Sequence, residues 1–94
     1  MPQAKWQGAL LADSDDTIFI EGNHYFPPGS VDRQYFQDSD THSTCPWKGE
    51  ASYYTITVGD LVNPDAAWYY PDTKDAASGI KDYVAFWKGV EIIE

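Results

Sequence analysis

Apolar and polar positions alternate with a period of two along much of this chain, most clearly between Glu50 and Val58. There Tyr54, Ile56 and Val58 fall on one face of an extended segment and Tyr53, Thr55 and Thr57 on the other, the spacing of a β-strand with two distinct sides. Gly59-Asp60 turns the chain, Asn63-Pro64-Asp65 reads as a second turn, and Ala66-Ala67-Trp68-Tyr69-Tyr70 reads as the next strand, closed by Pro71. Toward the N-terminus, Gly8 to Ala12 is a strand, Asp13-Ser14-Asp15-Asp16 a turn, and Thr17 to Glu21 the returning strand of a hairpin. Gly22-Asn23 turns again, and His24-Tyr25-Phe26 extends until Pro27-Pro28-Gly29, where missing donors stop further pairing.

Ser30 is placed to cap one or two helical turns through Val31 to Phe36, with Asp32 in the first turn where a helix favours an anion. Asp38-Ser39-Asp40 is turn material, and Thr41 to Thr44 is a short strand leading into Cys45-Pro46-Trp47-Lys48-Gly49. Lys74 to Ser78 winds into a short helix that stops at Gly79. Tyr83 to Trp87, Lys88-Gly89 and Val90 to Ile93 carry the signal of a final hairpin. No segment holds a helical period for more than two turns. The expectation is a mainly β fold, one small antiparallel domain over residues 1–94 with short helical insertions.

Length and composition sharpen this picture. Ninety-four residues leave room for one core, and four Trp, seven Tyr and four Phe mean that core and pocket alike are built largely of rings. Fifteen Asp and Glu against six Lys and Arg give a net charge of −9. The six cations, Lys5, Arg33, Lys48, Lys74, Lys81 and Lys88, are scattered, whereas phosphate backbones require clustered ones, so neither nucleic acid nor an anionic membrane is expected as a partner. The acidity itself serves solubility. One cysteine cannot form an intramolecular disulfide. Met1 to Trp6 lacks the apolar stretch of a signal peptide, and no apolar run reaches spanning length, which gives a cytoplasmic expectation.

The candidate chemistry gathers at Thr44 to Gly49, where thiol, amine and indole stand within four residues. Cys45 reads either as an inert small hydrophobe or as a thiolate favoured by the nearby Lys48 ammonium. Pro46 blocks a regular ladder, so the segment bulges or turns. A cysteine nucleophile needs a base, and His42 is the nearest, but an odd separation on an extended strand puts residues 42 and 45 on opposite faces. Lys48 reads either as a solvated lysine or as a point-charge ligand for phosphate or carboxylate, with Gly49 allowing close backbone approach and Arg33 completing an anion clamp. Tyr25, Trp47, Tyr53, Trp68 and Tyr70 read as core or as pocket wall. His24, His42 and Cys45 lack zinc-ligand spacing. Asp13 to Thr17 fails as a calcium loop, because Ile18 and His24 stand where Gly and Glu belong. No metal site is expected.

The run Tyr25-Phe26-Pro27, Ser39, Thr44-Cys45-Pro46-Trp47-Lys48-Gly49 with Ala51 and Tyr53-Tyr54, then Ala67-Trp68-Tyr69-Tyr70-Pro71 and Tyr83-Val84-Ala85-Phe86, resembles the family catalogued as domain of unknown function 427. The resemblance spans nearly the whole chain, and Cys-Pro-x-Lys-Gly-x-Ala-x-Tyr is its most specific part. It implies a compact tent-like β domain of a kind that usually stands alone in bacteria and fungi. The fold expected is therefore a tent-like or barrel-like antiparallel β domain. The family is also filed under a nucleotidyltransferase-like label, to which only Gly29-Ser30 followed by Asp32 bears any likeness here.

The functional expectation is an aromatic-lined pocket for a small anionic ligand or nucleotide. Cys45 and Lys48 would stand at its mouth, Trp47, Tyr53 and Trp68 would wall it with Tyr25 and Tyr70 alongside, and Gly49 and Arg33 would assist. A transferase or covalent reaction would use Cys45 or Lys48, with His42 carrying protons. The residues specify no cofactor. The alternatives are a non-catalytic interaction or homodimerisation module joined through a sheet edge, and a thiol sensor at Cys45.

Overall fold

A computed structural model describes residues 2–94. Its strands are β1 (Gln3–Trp6), β2 (Ala9–Asp13), β3 (Ile18–Ile20), β4 (Asn23–Tyr25), β5 (Phe36–Cys45), β6 (Gly49–Val58), β7 (Leu61–Thr73), β8 (Val84–Phe86) and β9 (Glu91–Ile93). They form a sheet β2-β1-β9, a hairpin β3-β4 and a four-stranded sheet β5-β6-β7-β8, with every strand pair antiparallel. The helical parts among the described residues are short 3₁₀ turns at Pro28–Ser30, Arg33–Tyr35 and Asp75–Ile80. The fold is mainly β, as the alternation predicts. The sheets do not close into a barrel, which corrects the barrel-like alternative.

Three two-residue turns decide which strands pair. Gln7-Gly8, Glu21-Gly22 and Lys88-Gly89 all have positive φ at both positions, the geometry that matches the twist of antiparallel strands. The first joins β1 to β2. Of the four β1 residues only Ala4 is buried, so no hydrophobic alternation announces that strand. The second joins β3 to β4, so Thr17 to Glu21 does not return onto Gly8 to Ala12 as expected. The third turns the chain where predicted, but β8 pairs with β7 and β9 with β1. The final hairpin is instead a crossover between two sheets, held by the Trp87 amide on the Ala66 carbonyl at 3.0 Å.

Two expected turns are bulges inside long strands. Asp38 pairs with Tyr54 and His42 with Ser52, leaving residues 39–41 opposite Tyr53 alone. Asn63 pairs with Ile56 and Ala67 with Tyr54, leaving residues 64–66 opposite Thr55. The bulges are tied together, because the Ser39 and Thr41 hydroxyls both donate to the Asp65 carboxylate. Those two bonds outweigh partial burial and hold Asp65 below the usual carboxylate range. The expected helix from Val31 to Phe36 is only the 3₁₀ turn Arg33–Tyr35. Its cap is Asp32, whose carboxylate accepts from the Gln34 amide, while the Ser30 hydroxyl donates back to the Pro27 carbonyl at 2.7 Å.

The four-stranded sheet buries both faces. On one, Tyr54 and Ile56 join Leu11, Phe26 and Phe86 in a core that reaches the β2-β1-β9 sheet, with Tyr54 stacked on Tyr69 at 4.5 Å. On the other, Ala51, Tyr70 and Ala85 pack with Tyr25 and Ile80. Reciprocal backbone bonds of 2.8 Å between Phe26 and Val84 dock the β3-β4 hairpin beside β8. That contact brings residues 21–25 over the second face.

Candidate functional site

The second face becomes a pocket because alternation on two neighbouring strands delivers rings to one place. Tyr53 on β6 pairs across the ladder with Trp68 on β7, and Tyr70 lies two residues further along the same face of β7. The hairpin supplies Asn23 and Tyr25, and the chain beyond β8 supplies Trp87. Together with Lys48 these line a cavity of about 170 Å³. The rings meet edge to face, Tyr25 with Trp68 at 6.3 Å and Trp68 with Trp87 at 5.8 Å. Polar tips are fixed: the Trp68 indole donates to the Tyr25 hydroxyl at 3.4 Å, and the Ser43 and Tyr53 hydroxyls share a bond at 2.8 Å. The Trp87 indole donates to the Asp65 carbonyl, so the bulge sets the rim of the pocket.

Lys48 sits in the turn between β5 and β6, held from outside by the Lys74 amide on its carbonyl at 3.0 Å and by the Lys74 ammonium on the Pro46 carbonyl at 2.6 Å. Its side chain is 7% exposed and pairs with Glu21, whose side chain is 58% exposed on the β3-β4 turn. The ammonium also lies 4.8 Å from the Trp47 ring centre and 5.8 Å from that of Tyr70. Burial works against the charge, but the Glu21 hydrogen bond and the neighbouring Tyr25, Tyr70 and Cys45 outweigh it, holding Lys48 above the ordinary lysine value. An amine nucleophile must be deprotonated. Lys48 therefore stands as a fixed positive charge at neutral pH. Burial, with the Tyr25 charge behind it, pushes Tyr70 up to about 12.

Cys45 is half-buried, with its sulfur 3.8 Å from the Lys48 nitrogen but outside the pocket lining. Burial pushes the thiol up, while the backbone amides of Lys48 and Trp47 and the Lys48 charge prevail and leave it below its ordinary value. The ladder from His42 to Cys45 is regular, so the two side chains point to opposite faces. His42 meets the Ser52 hydroxyl at 3.2 Å instead. Arg33 donates to the Tyr54 hydroxyl at 3.0 Å and does not approach Lys48, since Tyr54 belongs to the other face. Trp47 is not among the residues of the wall and meets Lys48 through its ring instead. Gly49 is buried at a φ of +117° between Cys45 and Thr73.

The structure thus brings Tyr25, Lys48, Tyr53, Trp68 and Tyr70 together and keeps Arg33 and His42 away. Sequence reasoning missed Asn23 and Trp87 of the lining, and Glu21, which is outside the lining but pairs with Lys48. Among the described residues no three His, Cys, Asp or Glu side chains converge as a metal cluster would, and no helix is long and apolar enough to cross a membrane.

These features define a small antiparallel β protein whose central sheet carries an aromatic pocket with an ion-paired lysine in its lining. The chain belongs to the family described as domain of unknown function (DUF427), whose family model matches residues 2–94 and bears a nucleotidyltransferase-type name. No match was found among curated proteins.

Proposed function

We propose that this protein binds a small ligand combining one flat ring with one anionic group, seated in the pocket of Tyr25, Tyr53, Trp68, Tyr70 and Trp87. The observation that carries the reading is the placement of a nearly buried, positively charged Lys48 among the rings that line the pocket. Rings recognise a flat apolar face, and a desolvated ammonium recognises a negative group. A cavity of about 170 Å³ lies below the roughly 300–1,000 Å³ of drug-sized sites, so it suits a single ring system rather than an entire nucleotide. Binding takes precedence over group transfer in this reading, because Cys45 is outside the pocket lining and His42 is on the opposite face of the sheet.

A thermal-shift screen of ring-bearing carboxylates, phosphates and neutral analogues tests it. A ligand at a hundred times its Kd adds about 2.7 kcal/mol, which raises the Tm of a chain this size by about 10 °C or more. Intrinsic fluorescence should change in parallel, because Trp68 and Trp87 line the pocket. A screen in which no ring-bearing anion moves either signal rejects the proposal.

A further inference from the structure

We infer that Glu21 is a built-in occupant of the anion seat, and that the ligand is a monocarboxylate whose entry displaces it from Lys48. The inference rests on the pocket reading above and narrows it to one chemical class. Glu21 and Lys48 are 27 residues apart and meet only because the β3-β4 hairpin folds over the sheet. Their exposures are opposite: the Lys48 side chain is 7% exposed and the Glu21 side chain 58%. The ammonium cannot move to water, whereas the carboxylate can swing into it from the tip of a two-residue turn. A second carboxylate entering beside Glu21 would place two negative groups on one cation in a protein of net charge −9. Like charges at such range oppose each other, so exchange is favoured over addition.

The donor count sets the class. The lining includes one cation, Lys48, and one residue with a side-chain amide, Asn23. Lys74 donates to the Pro46 carbonyl and Lys88 to the Pro64 carbonyl, while Arg33 lies on the other face of the sheet with the Tyr54 hydroxyl. The backbone amides of Trp47 and Lys48 face the Cys45 sulfur. A phosphoryl group, with close to two charges and three strong acceptor oxygens, is matched by Arg clusters or rows of amides. A carboxylate needs one charge, which is what Glu21 itself finds on Lys48.

The test is calorimetric titration of the full chain and of Glu21→Gln with benzoate, phenyl phosphate and benzyl alcohol. Benzoate should bind the wild type, bind Glu21→Gln about fivefold tighter, the scale of a half-exposed competing ion pair, and exceed phenyl phosphate in both proteins. Benzyl alcohol should not distinguish the two. Benzoate affinity that is unchanged or weaker in Glu21→Gln overturns the exchange. Preference for phenyl phosphate overturns the carboxylate assignment while leaving the pocket reading intact, and silence from all three probes in both proteins sinks both. Should Glu21→Gln fail to fold, amide spectra of the wild type decide the matter. Saturating benzoate must shift the Glu21 and Gly22 resonances, and unmoved resonances refute displacement.

Discussion

Gly49→Ala is the substitution that best isolates why the Lys48 turn has its shape. Gly49 closes the turn between β5 and β6 and is paired on both sides, with Cys45 and with Thr73. Its φ of +117° lies well beyond the left-handed region that other residues occasionally visit. A Cβ built there would stand 2.7 Å from the Asp72 carbonyl oxygen and 3.7 Å from the Thr73 Cα. Those atoms are backbone in a three-strand ladder and cannot rotate away. The conformational penalty is about 1–2 kcal/mol, and overpacking against fixed atoms adds about 1–3 kcal/mol. The sum of about 2–5 kcal/mol is a large part of the roughly 5–14 kcal/mol expected for a chain of this length. Gly59→Ala is the control, since Gly59 has φ +59° and open space around it, and it should cost only about 1–2 kcal/mol. Urea unfolding followed by Trp fluorescence, with m-values compared, gives both numbers. If the two variants lose stability equally, the Asp72 contact yields, and the account of the turn as sterically fixed is wrong.

Alkaline pH should unfold the protein through Tyr70 and Lys48 together. Tyr70 is raised to about 12 from an ordinary value near 10, so its contribution is complete below about pH 10 and is lost as pH rises toward 12. Lys48 is also raised, so its stabilisation likewise holds below its unfolded value and disappears as pH climbs through the folded one. Urea midpoints between pH 8 and 11.5 should fall less steeply in Tyr70→Phe, with about 2 kcal/mol separating the curves at the alkaline end; parallel curves refute the assignment. Alkylation of Cys45 by iodoacetamide should show a midpoint below that of the same thiol in the urea-unfolded chain, shifted upward in Lys48→Met. A wild-type midpoint at or above that value contradicts the amide and ammonium contacts drawn to the sulfur. Lys48→Met should fold, since Met has a similar volume and the released Glu21, 58% exposed, passes into water rather than being left as a buried charge.

What the sequence made legible follows from how local each cause is. The alternation at Glu50 to Val58 is read within nine residues, and β6 forms there because packing on both faces needs that alternation. β1 is invisible by the same measure, since Ala4 alone of its residues is buried and its pairing is dictated by the Gln7-Gly8 turn and by β9 arriving from the far end. Asp38-Ser39-Asp40 and Asn63-Pro64-Asp65 have the composition of turns, and nothing local distinguishes a reversal from a bulge. The difference lies in the continuous β6 ladder between them and in the bonds from Ser39 and Thr41 to Asp65, both long-range. The same division runs through the site. Tyr25, Lys48, Tyr53, Trp68 and Tyr70 stand out by residue type and strand parity, and parity also separates His42 from Cys45. Trp87 carried a usable signal, an indole against the Lys88-Gly89 turn. Glu21 carried none, being one of fifteen acids with its partner 27 residues away.

The charge of the pocket explains why its counter-ion comes from so distant a place. An ammonium 7% exposed needs a negative partner, since burying it alone costs several kcal/mol. A carboxylate equally buried would satisfy it permanently and would be stranded if a ligand took its place. One on an exposed turn can be exchanged, because released Glu21 passes directly into water. The buried seat is then neutral when Glu21 fills it and neutral again when a monoanion does, whereas a dianion would leave an uncompensated charge among the rings. Cys45, Lys48 and Gly49 thus share one turn but face three directions: sulfur toward the backbone amides, ammonium into the pocket, and glycine against β7. On the exchange we propose, the group that decides which ligands enter lies outside that turn, on the hairpin that covers it.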